Sequence, residues 1–206
     1  MRRRLTIIGG VLLVVVALGA GAVPMLSSEE ELPGITRDPA PSVAGVTFLD
    51  HTDPGGVREV EVVPAEGELT FLYFGFLSCP DVCPMTMADI AQAQRDVGED
   101  LASRTTVAFV TVDPARDDGE RLRSYLGHFF DGSTLALTAP DRASLDAVTE
   151  RLGVRYEIEP HAPGDDRYDV AHSAITYVID DHGEVIREVP FGVSWEDFAH
   201  LMRALL

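Results

Sequence analysis

The sequence has no lysine and no asparagine, and only two cysteines and one tryptophan in 206 residues. Without lysine there is no P-loop lysine, no Schiff-base nucleophile and no anchor for pyridoxal phosphate. Without asparagine there is no N-glycosylation acceptor. Two cysteines cannot supply the four thiolates of a structural zinc site or an iron–sulfur cluster within one chain. Cations are scarce as well: 16 arginines against 34 acids leave a formal net charge of −18. Nucleic-acid binding needs clustered cations for the phosphates, so no nucleic-acid partner is expected. An apolar content of 46% excludes global disorder, and the length suits one domain with an appendage.

The charge is unevenly placed. Arg2, Arg3 and Arg4 open the chain, and the first acid is Glu29. Between them Leu5–Leu26 carries no charge, and such a stretch is long enough to cross about 30 Å of hydrocarbon. A basic flank of this kind stays cytoplasmic, which predicts an N-terminal transmembrane helix with everything after it on the extracytoplasmic side. A cleaved signal peptide, with Ala20-Gly21-Ala22 as its small-residue site, is the alternative. Residues 27–43 are acidic, contain Pro33, Pro39 and Pro41, and read as a flexible linker. The expected organisation is a membrane anchor or signal segment over 1–26, a linker over 27–43 and a folded domain over 44–206.

Within that domain the periodicity alternates. Val46–Asp50 and Val57–Val62 read as a hairpin around Asp53-Pro54-Gly55-Gly56. Leu69–Phe76 and Thr106–Val112 are short, almost wholly apolar runs of the kind found in buried central strands. A helix follows the first, with Pro84 in its opening turn, Met87, Ile90, Ala91, Gln94 and Val97 along one stripe, and Gly98 at its end. Leu122, Tyr125, Leu126 and Phe129 mark a second helix. Thr134–Thr138 reads as a strand, and Asp141 caps a third helix that Gly153 ends. Residues 159–171 read as an exposed polar loop. Ile175–Ile179 and Glu184–Val189 form another hairpin, and Ser194-Trp195-Glu196-Asp197 opens a last helix as a capping box. This order predicts an α/β sandwich with a mixed central sheet.

Both cysteines lie in Cys79-Pro80-Asp81-Val82-Cys83-Pro84, after a buried strand and before a helix. Sites in α/β sheets gather at the carboxyl ends of strands, and a helix N-terminus favours thiolate over thiol. Reactive thiolates are therefore expected. A pair at this spacing can close a small disulfide, exchange electrons with a partner's thiols, or clamp a soft metal ion. Three intervening residues, where the usual oxidoreductase motif has two, favour the clamp. Two thiolates leave an ion under-coordinated, so a third ligand is needed. Of the six histidines, His51 and His182 sit at turns, His128 and His200 in helices and His161 in the polar loop. His172 stands just before a sheet strand, where a fold can bring it to the cysteine loop.

These residues together resemble the Sco/SenC copper-chaperone family. The strings that carry the resemblance are Phe74-Gly75-Phe76, Ser78-Cys79-Pro80-Asp81-Val82-Cys83-Pro84, Val110-Thr111-Val112-Asp113-Pro114 and His172-Ser173. Asp50-His51-Thr52 and Pro190-Phe191-Gly192 add to it. The resemblance implies a thioredoxin-like fold and copper, as Cu(I) or Cu(II), held by Cys79, Cys83 and His172. It also implies delivery to the dinuclear copper site of cytochrome c oxidase. The implied partners are the oxidase subunit that carries this site, a copper donor and a thiol reductant. The alternative is a thiol–disulfide oxidoreductase that uses Cys79 and Cys83 alone. Many members have Asp before the distal histidine; here Ala171 stands there, so an orienting carboxylate is missing at that position. Asp113 and Arg116 are further candidates to line the site. Met85 and Met87 read as rim or core.

Overall fold

The computed structural model describes residues 31–162 and 164–206. The apolar segment at residues 5–26 lies outside the described residues. Among the described residues no helix is long and apolar enough to cross a membrane.

Among the described residues, nine strands and five helices follow one another. Strands β1 (Thr47–Asp50) and β2 (Arg58–Glu61) form the expected hairpin. Strand β3 (Leu69–Gly75) leads into helix α1 (Val82–Val97), which is followed by the short α2 (Glu99–Ala102). Then come β4 (Thr105–Thr111), α3 (Gly119–Phe129), β5 (Thr134–Thr138) and α4 (Arg142–Leu152). Two three-residue strands, β6 (Tyr156–Ile158) and β7 (Val170–His172), precede β8 (Ile175–Ile179), β9 (Val185–Pro190) and α5 (Trp195–Leu205). The main sheet runs in the order β2-β1-β5-β4-β3-β8-β9, while β6 and β7 pair only with each other. β3, β4 and β5 are parallel neighbours, and β8 lies antiparallel to β3. The mixed sheet is therefore as expected.

The central strands are buried because both faces are covered. All seven residues of β3 are buried. Phe71 and Tyr73 point into a core shared with α1, α3 and α5; Leu72 and Phe74 point into a second core shared with α4. That alternation is the period-two geometry of a strand, and each buried aromatic or branched side chain contributes about 1.5–3 kcal/mol. Helix ends follow the local chemistry. Asp118 and Asp141 accept hydrogen bonds from the N–H of Arg121 and Ser144. Gly153 takes the left-handed conformation at φ 75°, and Ser194 with Asp197 completes the capping box.

Two regions differ from the sequence reading. The linker over 27–43 is not free from residue 32 onward. Ile35 exchanges backbone hydrogen bonds with Glu188, and the N–H of Val43 donates to Gly183 O. Val43 is fully buried, and Arg37 forms an ion pair with the buried Glu188. The open edge of β9 offers unpaired backbone groups that an extended, proline-rich segment can cover. The second difference is the pair β6–β7: residues 170 and 171 of the expected loop belong to β7, paired with β6.

Candidate metal centre

The site sits at the carboxyl end of β3. After Gly75 the chain turns, with the N–H of Cys79 donating to Phe76 O at 3.2 Å, and then enters α1. Asp81 occupies the cap position without a side-chain bond. The Cys79 sulfur takes that role instead, accepting from the N–H of Cys83 at 3.5 Å. Cys83 is fully buried and Cys79 is half-buried, and both are free thiols. Gly75 is required beneath them, since a Cβ there would stand 2.9 Å from the Cys83 sulfur and 2.9 Å from the Phe109 ring.

His172 arrives from the other direction. β8 runs antiparallel to β3 with Thr176 opposite Tyr73. Extending that register past the strand ends brings residues 172–174 level with the turn after Gly75. The imidazole Nε2 lies 3.3 Å from the Cys83 sulfur. The ring stands edge-on to Phe76 and Tyr73, at centroid distances of 5.6 and 5.9 Å. Nδ1 is 3.2 Å from Ser173 O. The tautomer that satisfies both nitrogens carries its proton on Nδ1 and leaves the Nε2 lone pair facing the sulfur. A backbone carbonyl thus orients the ring where Ala171 supplies no carboxylate.

The electrostatics suit a cation. Burial lowers the pKa of His172, keeping the imidazole neutral and ligating. Burial pushes the Cys83 thiol well up, against a lowering backbone hydrogen bond. The expectation of a ready thiolate is therefore corrected for Cys83: desolvation outweighs the helix end. A bound soft cation reverses this, because its own charge deprotonates a coordinating thiol. The Tyr73 hydroxyl approaches the Cys83 sulfur at 3.9 Å, a long contact with a weak acceptor.

The ligand atoms of Cys79, Cys83 and His172 all lie within 4.8 Å of one another. Ligands held about 2.0–2.3 Å from one ion stand at most about 4.6 Å apart, so only a small closing movement is required. Two sulfurs and one imidazole are a soft set that suits Cu(I). Asp180, Asp181 and His182 form a second grouping of possible ligand atoms, but it is an exposed turn whose groups bond one another.

The remaining sequence candidates fall elsewhere. Asp113 and Arg116 are not among the clustered ligands; they pair with each other at 2.5 Å. Met87 is core, while Met85 is exposed beside the motif. His51 bonds Thr138, His161 stacks on Tyr168 and His182 pairs with Asp181. The roles of Tyr73, Gly75 and the Ser173 carbonyl went unread in the sequence. Gly75 alone carried a signal, as a glycine inside a buried strand, which marks a close approach.

A family model described as SCO1/SenC matches residues 50–206. The chain belongs to the SCO1/SenC family. An SCO2-like protein of Rickettsia conorii is 28% identical over 216 residues, spanning 98% of this chain and 99% of the relative. Among solved structures, Bradyrhizobium japonicum ScoI with copper bound is similar at 26% identity and a TM-score of 0.63, covering 78% of this chain and 97% of its own. Yeast Sco1 with copper bound is similar at 26% identity and a TM-score of 0.67, covering 80% of this chain and 88% of its own. The thioredoxin-like fold expected of this SCO1/SenC chain fits these neighbours.

Proposed function

We propose that this SCO1/SenC chain binds one copper ion through Cys79, Cys83 and His172 and delivers it to the dinuclear copper site of cytochrome c oxidase. The observation that carries the reading is the convergence of two sulfurs and a neutral imidazole within 4.8 Å, at a turn where Cys79 remains partly open to a partner. Three soft ligands satisfy Cu(I) without enclosing it, so an incoming thiol can displace one ligand as the ion passes on. The oxidase as acceptor follows from family membership, since the Sco family is one of cytochrome c oxidase assembly proteins. We place the domain on the extracytoplasmic side, tethered by residues 5–26, because three arginines precede an uncharged span.

The test is an anaerobic Cu(I) titration of the full chain. One equivalent is expected to bind tightly, and Cys79→Ser, Cys83→Ser and His172→Ala are each expected to abolish tight binding. Full retention in His172→Ala would refute the three-ligand site. A second reading rests on the exposure difference between two free thiols: Cys79 is the accessible one and Cys83 the buried one. A thiol–disulfide oxidoreductase would use them in that order and would keep its activity in His172→Ala.

A further inference from the structure

Between β6 and β7 the chain makes an exposed excursion over residues 159–169, and among its described residues only Tyr168 is buried. A two-stranded ribbon of three-residue strands is not stable alone, so something outside it must hold the hairpin that carries His172. Tyr156 and Val170 pack its strands against the second core, and the excursion between them is anchored by the turn after β4. The Tyr168 hydroxyl donates to Asp113 Oδ1 at 2.7 Å, and Arg116 Nε donates to Asp113 Oδ2 at 2.5 Å. Arg116 Nη1 donates to the carbonyls of Tyr168 at 2.9 Å and Asp166 at 3.1 Å. The guanidinium carbon lies 3.8 Å from the Tyr168 ring centre, and the His161 ring stacks on the same tyrosine at 3.7 Å. Two planes that close cannot share one face, so Tyr168 is clasped between them.

The same turn also grips the cysteine side. Asp117 Oδ2 accepts from the N–H of Leu77 at 3.0 Å and from the hydroxyl of Thr111 at 2.6 Å. Asp113 and Asp117 are both 1% exposed. A buried carboxylate is costly unless it is bonded. Both oxygens of Asp113 are bonded, one of them to Tyr168 of the hairpin loop. Asp117 reaches the cysteine loop through Oδ2, whereas its buried Oδ1 has no partner among the described residues. The segment Thr111–Asp117 is thus a brace between the loop after β3 and the hairpin of β7.

Resting on the copper reading above, we propose that Asp113, Arg116 and Tyr168 are positioning residues: they latch the 159–169 loop to the end of β4 and so hold the His172 imidazole against Cys83. Without the latch the two sulfurs stay where the main sheet puts them, and the imidazole wanders.

The experiment is a double-mutant cycle on the full chain, with Cu(I) affinity measured by competition. Tyr168→Ala and Arg116→Met are expected to weaken binding by about 10–100-fold, the range for groups that orient a metal ligand. Tyr168→Phe, which keeps the ring against the guanidinium, restores part of the loss. In a His172→Ala background the latch variants cost nothing further, because they act through that ring. In the metal-free protein, amide exchange at 170–173 is expected to accelerate while β3 and β4 stay protected, which separates unlatching from unfolding. Wild-type affinity in both latch variants, or losses that persist in full without His172, would overturn the latch. If His172→Ala alone leaves affinity unchanged, the ligand set itself is wrong and the latch falls with it.

Discussion

Cys79 and Cys83 stand on backbone that the seven-stranded sheet and α1 hold directly, whereas His172 stands on a ribbon that pairs with no strand of that sheet. Beneath the sulfurs lie fully buried Tyr73, Phe109 and Met87. Beneath the hairpin, Tyr156 and Val170 lie partly buried against the second core, and side-chain bonds run from Tyr168 to Asp113 and from Tyr156 to Asp146 at 2.6 Å. Packed interiors move together and open only with global unfolding, while a short ribbon that meets the core through partly buried side chains and a few polar contacts can open by itself. One half of the site is therefore rigid and the other adjustable, an arrangement suited to an ion that must be gripped and then given up.

The contrast is broken most severely by hollowing the rigid half. Phe109→Ala removes a ring that meets Tyr73 and Tyr125 at 5.9 and 5.5 Å, and is expected to cost about 3–5 kcal/mol in chemical denaturation. A loss below 1 kcal/mol would mean that the sulfurs do not rest on a tight core. Copper should erase the contrast by tying the halves together. At free Cu(I) 1,000 times the dissociation constant, stability is expected to rise by about 4 kcal/mol; an unchanged melting temperature would contradict a site formed in the folded state.

Gly75→Ala drives a methyl into the Cys83 sulfur and the Phe109 ring. We expect about 1–3 kcal/mol of destabilisation together with weaker copper binding, read by titration beside denaturation. The pH dependence sharpens the contrast chemically. The raised pKa of Cys83 means that the metal-free protein carries a proton there at neutral pH, which copper must expel. His172, lowered below its ordinary value, carries none to expel. Affinity should therefore fall as pH falls, by about tenfold per unit for each proton released. A flat competition curve between pH 7 and 8 would show that the thiol is already ionised. The smallest effect is expected from Tyr156→Phe. Its lost bond is to a half-exposed carboxylate, so global stability should drop by only about 0.5–1.5 kcal/mol, while exchange in β6–β7 quickens.

Legibility in the sequence followed the same division. β3 and α1 could be read because burial on both faces leaves a continuous apolar run and a helix leaves a stripe, and Cys79 and Cys83 came with them. The hairpin at β6–β7 escaped because three-residue strands are too short to show a period. Residues 32–43 read as a linker because composition registers polarity and proline, and says nothing of an open sheet edge nearby. Asp113 and Arg116 were noticed only as candidates to line the site; their bonds to Tyr168, distant in sequence, exist only in the fold.

The sequence was enough for the order of the main-sheet strands and the long helices, the caps of α4 and α5, the cysteine turn and the family, because these depend on neighbours within a few residues or on strings of fixed spacing. Tertiary structure alone decided that His172 meets Cys83, that burial protonates that thiol, and that one turn braces both halves of the site. Each of these depends on groups tens of residues apart, whose distance and desolvation exist only once the sheet has set its register.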